Sequence, residues 1–582
     1  MEILFDMKSA ALRAYEFGPF RVVPRERLLL RDGGSVHLPT RAFDTLLVLI
    51  RSAGRLVSRS ELMRVVWADA CVEEANITLA ISMLRKALGD DGREHQYIET
   101  IAKYGYRFVC DVRDVVSSKS ALSAKSVEIR SLAVLPFVCV NPASGHENLG
   151  LGIADAIITK LARTGAISVR PTSAVLKYAN VAADVVSVGR EQGVDAILTG
   201  HVEVFADRFR LTAQLVCVAD ETLLWADALE QIPQRIFVLE DEMVRRIAHW
   251  MSIPMGGETK VRCLPGPDMD RSQAHRFYLE GRYFWNKRTE QGLRRSIECF
   301  QKATAEDARC AIAYAGLADS YVLLGTYGQP TFQAYSLAKA AALKALQLDD
   351  SLAEPHVSLG IAYFYYECNL SKAEDEFQRA IALNPNYALA YSWYALNLGA
   401  SGRDEEALDH VRYAQGLDPL SLQINTVAGR IFYFLRQYDR SVDAYRKVID
   451  LDPRYARVHT RLGITYAAMG AFEEALQEFE ESRQLSSLDP YLAGYLGHVH
   501  ALAGDTREAR RLLKELSQQP HAVFSAALIW MGLGKRDEAL ECLLKAHENH
   551  CSEMVYAKAE PLLDSLRSDP RFDTLINSTG FS

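Results

Sequence analysis

The chain has 582 residues, of which 49% are hydrophobic and 24% charged, and its formal net charge is −8. This length predicts several domains, and the composition excludes a globally disordered chain. The net charge argues against a basic protein that coats nucleic acid. Residues 1–113, however, carry 17 basic and 15 acidic side chains, so this head is net +2 and the remainder net −10. The asymmetry favours one DNA-contacting domain on an acidic frame.

The cysteine and apolar patterns predict the compartment. The 10 cysteines are scattered without a CxxC pair, which favours free thiols over a disulfide framework or a zinc ribbon. The longest apolar run, residues 132–140, is interrupted by Pro136 and is far shorter than the roughly 20 residues that cross a bilayer. The first residues carry acids where a signal peptide has an apolar core. We therefore expect a cytoplasmic protein.

The head begins with short strands and two helices. Residues 15–38 predict strands broken by glycine and proline. A first helix begins at Thr40, with apolar residues spaced along one face through residue 50. Ser58 and Glu61 form a capping-box pattern that opens a second helix. We expect Leu62, Val65 and Val66 on the inner side of that helix.

A third helix, near residues 74–88, carries the predicted binding surface. Its apolar residues recur at helical spacing and predict a buried face: Ile77, Ile81, Leu84 and Leu88. Residues 97–109 predict a closing hairpin that turns near 103–105, with Tyr106 and Phe108 in the core. This order of elements is a winged helix, whose polar helix face fits the major groove of DNA. The helix and the wing together give the predicted DNA-binding residues: Asn76, Thr78, Ser82, Arg85, Lys86, Lys103 and Arg107.

Residues 15–110 resemble the winged helix of OmpR/PhoB-type response regulators. The resemblance rests on the segments Arg41-Ala42-Phe43, Val57-Ser58-Arg59, Leu84-Arg85-Lys86-Ala87-Leu88, Tyr97-Ile98-Glu99-Thr100 and Gly105-Tyr106-Arg107-Phe108, together with Trp67. It implies that double-stranded promoter DNA is the ligand, and that the loop 67–72 could touch RNA polymerase. The alternative for the loop is a connecting turn, and we favour a core position for Trp67 itself.

The recognition helix departs from its relatives in charge. Relatives often carry arginines where this chain has Ala80, Ser82 and Met83, and a wing arginine where it has Ala102. Fewer cations predict weaker phosphate attraction and a shallower salt dependence of binding. A homodimer or tandem sites would then be needed for useful affinity.

A middle domain, residues 131–254, follows a Ser/Ala/Lys-rich linker at 114–130. Its pattern predicts an α/β fold with a first strand at 132–137, a helix at 150–163, strands at 194–205, 208–218 and 221–229, and a closing helix at 232–250. The segments SLAVLPF and REQGVDAILTGHVE resemble the N-terminal domain of TolB. Ligand binding, dimerisation and simple spacing all remain open for this domain.

The tail, residues 268–582, follows a second linker at 255–267 and is repetitive. Pro385, Pro419 and Pro453 are spaced 34 residues apart, the period of the tetratricopeptide repeat. A small residue in the first helix of each unit allows close approach, an aromatic fills the groove beside it, and the proline ends the second helix. We predict about eight units and a helical cap after residue 552. The all-α solenoid favours a protein or peptide partner in its concave groove.

Catalytic and cofactor signatures are lacking in the sequence. We find neither a phosphate-binding GxxxxGK[ST] loop nor a GxSxG elbow, and the two histidines of 547–550 are not spaced as in HExxH. We therefore predict no enzyme, cofactor or metal. The fold class is multidomain: a winged helix-turn-helix (α+β) head, an α/β middle domain and a tetratricopeptide solenoid.

This architecture resembles the HilA-like bacterial transcriptional regulators. The resemblance implies a one-component regulator, in particular an activator. The alternative is a tetratricopeptide adaptor whose winged helix contacts protein rather than DNA.

Overall fold

The computed structural model divides the chain into two compact units, Met1–Val127 and Glu128–Ser582. It describes residues 13–23, 28–31, 34–36, 38–66, 75–90, 96–101, 104–116, 129–140, 149–179, 184–204, 208–231, 236–251, 253, 269–327, 332–485, 492–517, 519 and 522–578. Of the helices in these ranges, none combines the length and apolarity that a membrane crossing requires.

Short strands form two sheets in the first unit. They are β1 (Arg13–Phe17), β2 (Phe20–Val23), β3 (Leu28–Arg31), β4 (Gly34–Val36), β5 (Leu56–Ser58), β6 (Ile98–Ile101), β7 (Gly105–Phe108) and β8 (Arg113–Val116). One sheet has the order β4-β3-β2-β1-β8 and the other β5-β7-β6. Because Tyr15 pairs with Asp114 across β1 and β8, the head's sheet continues into the segment expected to be linker.

Three helices cover these sheets: α1 (Thr40–Arg51), α2 (Arg59–Val66) and α3 (Ala75–Leu88). The Ser58 hydroxyl accepts the Glu61 N–H at 3.1 Å, as the capping pattern predicts. The prediction that Val65 lies inside is wrong, because its side chain is 52% exposed. Leu62 and Val66, four residues apart, already form the inward stripe of this short helix, and Val65 lies about 100° around it.

The hairpin of β6 and β7 closes the head. Tyr106 and Phe108 are 3% and 0% exposed, so their predicted core positions are confirmed. Gly105 lies opposite Ser58 in the β5–β7 pair. A Cβ at Gly105 would lie 2.0 Å from the Val57 carbonyl oxygen, so glycine is required for β5 to pair this closely with the hairpin.

The second unit opens with the middle domain. Its strands are β9 (Ser131–Val134), β10 (Val138–Val140), β11 (Ser168–Val169), β12 (Ala196–Val204), β13 (Phe209–Cys217) and β14 (Leu223–Gln231). They form one sheet of order β11-β9-β12-β13-β14, with β10 beside β12. Its helices are α4 (Leu149–Ala162), α5 (Thr172–Val175), α6 (Val185–Gln192) and α7 (Ile236–Trp250). The α/β prediction is confirmed, but the strand expected at 132–137 divides around Pro136, which has no N–H to donate.

The repeats follow as paired helices. They are α8 (Met269–Asn286), α9 (Glu290–Glu306), α10 (Ala311–Tyr327), α11 (Phe332–Leu348), α12 (Ala353–Tyr365), α13 (Leu370–Leu383), α14 (Ala388–Ser401), α15 (Asp404–Leu417), α16 (Leu422–Phe434), α17 (Tyr438–Leu451), α18 (Ala456–Met469), α19 (Phe472–Leu485), α20 (Leu492–Leu502), α21 (Thr506–Leu516), α22 (Val523–Gly532) and α23 (Arg536–Glu548). Two 3₁₀ turns, Ser552–Tyr556 and Pro561–Leu566, and α24 (Pro570–Ser578) form the cap. The described residues thus contain eight helix pairs and a cap, as predicted.

Small residues and aromatics interlock within several of the pairs. A Cβ at Gly360 would lie 2.6 Å from the Phe377 ring, and one at Gly463 would lie 2.5 Å from Phe479. Both rings are completely buried. The predicted role of the small position is therefore confirmed: it allows the second helix, with its ring, to approach the first.

Polar contacts join the middle domain to the repeats. Arg282 of α8 donates two hydrogen bonds, of 2.7 and 3.1 Å, to Asp155 of α4, whose side chain is 2% exposed. Further along, Arg170 donates to the Leu417 carbonyl at 2.8 Å. A buried carboxylate held by a bidentate guanidinium is a strong orienting contact. The middle domain and the repeats therefore pack as one body.

Candidate nucleic-acid interface

Helix α3 has one buried and one exposed face. Its apolar stripe is buried in the head core: Ile77, Ile81, Leu84 and Leu88 are each no more than 3% exposed. The opposite surface carries Thr78, Leu79, Ser82, Met83 and Lys86, all exposed. The burial of the stripe by the rest of the head leaves the polar surface available to a ligand.

Asp90 fixes the end of α3 against the hairpin. Its side chain is 4% exposed and accepts backbone N–H groups of Gln96 at 2.7 Å, Tyr97 at 3.4 Å and Ile98 at 3.0 Å. Hydrogen bonds to an ionised carboxylate are roughly twice as strong as neutral ones. The direction of α3 relative to the wing is therefore set by a buried charge-assisted cluster.

Arg85 provides a second brace between α3 and the wing. Its guanidinium donates to the Ile98 carbonyl at 2.8 Å and to the Thr100 hydroxyl at 2.7 Å, both on β6. The side chain is half-buried. The structure thus places this predicted DNA contact on the hairpin, where it holds the wing in position.

Aromatic side chains of the first sheet pack against those of the hairpin. Phe17 and Phe108 lie edge to face with ring centroids 5.0 Å apart, and Phe20 and Tyr97 with centroids 5.5 Å apart. The pKa of Tyr97 is raised, mainly because the side chain is buried. The cluster ties the first sheet to the hairpin through apolar packing.

The remaining predicted residues occupy different environments. Asn76 is half-buried near the start of α3, whereas Thr78, Ser82 and Lys86 lie together on its exposed face. Arg107 on β7 lies 3.5 Å from the carboxylate of Glu99, which partly neutralises its charge. Lys103 lies outside the described residues, as does the loop 67–72 with Trp67.

Sequence reasoning missed the exposed side chains of Leu79 and Tyr104, whereas Met83 is expected on this helix as a residue that stands where relatives often carry arginine. Leu79 and Met83 are 55% and 38% exposed and lie among the polar side chains of α3. Tyr104, at the hairpin turn, is 67% exposed. A helical-wheel reading of α3 could have found Leu79, since it lies off the stripe of Ile77, Ile81, Leu84 and Leu88. No group of three or more His, Cys, Asp or Glu side chains suited to hold a metal occurs within the described ranges.

This geometry defines the class. An exposed polar helix braced by a hairpin wing, in a chain that ends in tetratricopeptide pairs, is typical of winged-helix transcriptional regulators.

Comparison with known proteins gives the domain identities. The C-terminal domain family of transcriptional regulatory proteins matches residues 33–108, the second domain of HilA/YgeH-like transcriptional regulators matches 128–246, and the TPR repeat matches 429–470. The chain is 26% identical over 525 residues to the transcriptional regulator HilA of Salmonella typhi, covering 88% of this chain and 84% of HilA. The chain therefore combines a domain of the transcriptional-regulator type, a HilA/YgeH-like second domain and a TPR repeat, and it is similar to HilA over most of its length.

Two further relatives cover the head. The transcriptional activator CadC of Escherichia coli is 33% identical over 96 residues, which are 16% of this chain and 19% of CadC. The DNA-binding domain of Klebsiella pneumoniae RstA, solved in complex with the RstA box, is 31% identical and covers 16% of this chain and 96% of that domain, with a TM-score of 0.16.

Proposed function

We propose that the protein is a one-component transcriptional activator that binds promoter DNA through α3 and the wing and receives its signal through the second unit. The observation that carries the proposal is the exposed face of α3, which Asp90 and Arg85 hold in a fixed direction relative to the hairpin. The relative CadC is named as a transcriptional activator, and this supports an activating role for the present chain. The loop 67–72 is the segment that we propose for contact with RNA polymerase.

The side chains of α3 suggest how a sequence would be read. The hydroxyls of Thr78 and Ser82 can donate to or accept from base edges, and the ammonium group of Lys86 can contact phosphate. Leu79 and Met83 can make apolar contact with thymine methyl groups. The face thus favours a site that contains A·T pairs in the major groove.

Phosphate attraction by this head should be weak. Of the predicted cations, Arg85 is bound to the hairpin and Arg107 lies beside Glu99. Each neutralised phosphate adds about 0.9 to the magnitude of the logarithmic salt slope, so the engagement of these two cations within the head predicts a shallower slope than four phosphate contacts would give. We therefore propose that a homodimer or tandem half-sites supply the affinity.

The chain's own cap occupies part of the repeat groove. The hydroxyls of Tyr365 and Tyr556 are hydrogen-bonded at 2.7 Å, and Arg436 donates to Asp564 at 2.8 Å. Tyr433 also donates to the carboxylate of Glu560. A protein or peptide partner of the groove would therefore compete with residues 552–564, and we propose that such competition would be one route for a signal.

The test is selection from a random duplex library with the full chain, followed by titration of the enriched sequence across a salt series. We expect a defined sequence, with binding lost in the double variant Thr78→Ala and Ser82→Ala. The matched control is Arg412→Ala, an exposed residue of α15 in the second unit, which should bind as the wild type does. If no sequence is enriched, the proposal fails and the adaptor alternative is favoured.

A further inference from the structure

A cavity of about 790 Å³ lies within the second unit. Three parts of this unit line it: Ser173, Leu176 and Lys177 of the middle domain, the concave side of the repeats, and Ser552, Glu553, Tyr556 and Glu560 of the cap. Small-molecule sites typically have volumes of about 300–1,000 Å³. With the cap in place, the space that remains is suited to a compact molecule rather than to an extended chain.

Aromatic side chains form much of the lining. Tyr335, Trp393, Tyr495, Phe524 and Tyr556 all border the cavity, and each is less than a tenth exposed. They come from five different elements, so the surface is created by the superhelix and its cap together. Such walls favour an apolar, planar ligand body, because rings pack in stacked or edge-to-face geometry.

Positive charge dominates the polar part of the lining. Seven lysines and arginines border the cavity against three carboxylates. Arg430 is the most buried of these seven cations, with 8% of its surface exposed. Its guanidinium lies 3.6 Å from the centroid of the Tyr556 ring. Arg457 and Arg461, one turn apart on α18, face the same space.

The charges of Arg430 and Arg461 converge on one region. Burial raises the pKa of Tyr495 and of Tyr556, and both guanidinium groups oppose that rise at each tyrosine. The nearby Glu560 is 3% exposed, and burial holds the pKa of its carboxyl above the usual range despite the same two arginines. The carboxylate is also the acceptor of the Tyr433 hydroxyl. The region is therefore cationic, with an acid whose negative charge is disfavoured.

We propose that the second unit binds a small organic anion in this cavity, with an aromatic or similarly planar apolar body among the tyrosines and its anionic group held by Arg430 and Arg461. The inference rests on the proposed role of the second unit as signal receiver and names the class of signal. Binding would join the middle domain, the repeats and the cap, since all three line the site.

The probe for the test is 8-anilinonaphthalene-1-sulfonate, an aromatic anion whose fluorescence rises on transfer to an apolar site. Its matched neutral analogue is N-phenyl-1-naphthylamine, which has the same ring system without the sulfonate. Both are titrated into the full chain without DNA, so that the result is independent of the head. We expect saturable binding of the anion at one site per chain and weaker binding of the neutral probe.

Variants locate the site. Arg461→Gln should weaken binding of the anion about tenfold, as expected for loss of a charge-assisted hydrogen bond, and should leave the neutral probe unaffected. Lys287→Gln, at an exposed lining position, should cost about threefold because exposed charges contribute less. Arg440→Gln is the control, since Arg440 on α17 stacks on Phe432 and does not line the cavity. Circular dichroism melting checks that each variant is folded.

Three results would overturn the proposal. They are unsaturable binding of the anion, equal affinity for the charged and neutral probes, and equal losses in Arg461→Gln and Arg440→Gln. If Arg461→Gln does not fold, Lys287→Gln compared with Arg440→Gln decides the question. If the chain fails this test but still selects a DNA sequence, the proposed function of the head remains supported. Only the ligand class is then refuted.

Discussion

Arg85 and Lys86 are adjacent on α3, and the structure predicts that their removal has different consequences. Arg85 donates two hydrogen bonds to β6, whereas Lys86 lies on the exposed face. Arg85→Ala should therefore loosen the wing, and Lys86→Ala should affect DNA binding alone. Substituting both residues together would confuse a structural loss with a loss of DNA contact.

The size of the Arg85 effect follows from its two bonds. A hydrogen bond to a charged group contributes about 1.5–3 kcal/mol, and the bond to the Thr100 hydroxyl is exposed, so we take about 2 kcal/mol for the pair. Since about 1.4 kcal/mol is a factor of ten, local opening of the hairpin should become about 30-fold more frequent.

Hydrogen exchange of the full chain, read by mass spectrometry on peptides spanning 97–109, measures this opening. We expect exchange there to accelerate about 30-fold in Arg85→Ala and to stay at the wild-type rate in Lys86→Ala. In DNA titrations Lys86→Ala should reduce the salt slope by about one and weaken all sequences alike. If Arg85→Ala leaves hairpin exchange unchanged but abolishes DNA binding, the bracing role is refuted and the sequence-based prediction of a DNA contact is favoured.

Four further predictions concern the repeats and the exposed apolar side chains of α3. Gly463→Ala should destabilise the repeats by about 1–3 kcal/mol in urea denaturation, because its new methyl group would meet the ring that the glycine faces at 2.5 Å. Gly416→Ala, in α15 with open space around it, should instead stabilise them by about 0.5–1 kcal/mol. Burial raises the pKa of Asp418 to about 6, so the folded chain keeps a proton that the unfolded chain releases near 3.8, and wild-type stability falls as pH rises through this window. The thermal midpoint of Asp418→Asn relative to wild type should therefore rise between these pH values and then level off, and a constant difference would contradict this assignment. Leu79→Ser with Met83→Ser should reduce the preference for thymine in the selected DNA without changing the salt slope, and an unchanged preference would exclude these side chains from base reading.

Local patterns were sufficient to predict most elements of the fold. The α3 stripe, the Ser58 cap and the glycine–aromatic pairs depend on residues within about one helical turn or one repeat of each other. The failures have equally physical causes. The apolar character of Val65 predicts a core position, but the i, i+4 pair Leu62 and Val66 already fills the inward face of this short helix. The composition of residues 114–116 predicts linker, and β8 is not apparent there because its partner, β1, lies about 100 residues earlier in the chain.

The candidate DNA surface was predicted in position but not in detail. The outward direction of Thr78, Ser82 and Lys86 follows from helical periodicity alone. The role of Arg85 does not, because its acceptors are on another element, 13 and 15 residues away. A cation on a polar helix face is compatible with a phosphate contact and with a brace. Only the position of the hairpin distinguishes the two.

The repeat groove shows the same limit at a longer range. Repeat periodicity predicts a concave face, but not that the chain's own end fills part of it. The contacts that place the cap join residues far apart in sequence: Tyr365 with Tyr556 is a separation of 191 residues, and Arg436 with Asp564 one of 128. Neither pair belongs to a repeat motif, so neither could be read from the 34-residue period. These contacts turn an open groove into a bounded, cationic and aromatic cavity, and that cavity, not the repeat period, is the observation from which we infer a small anion as a ligand of this unit.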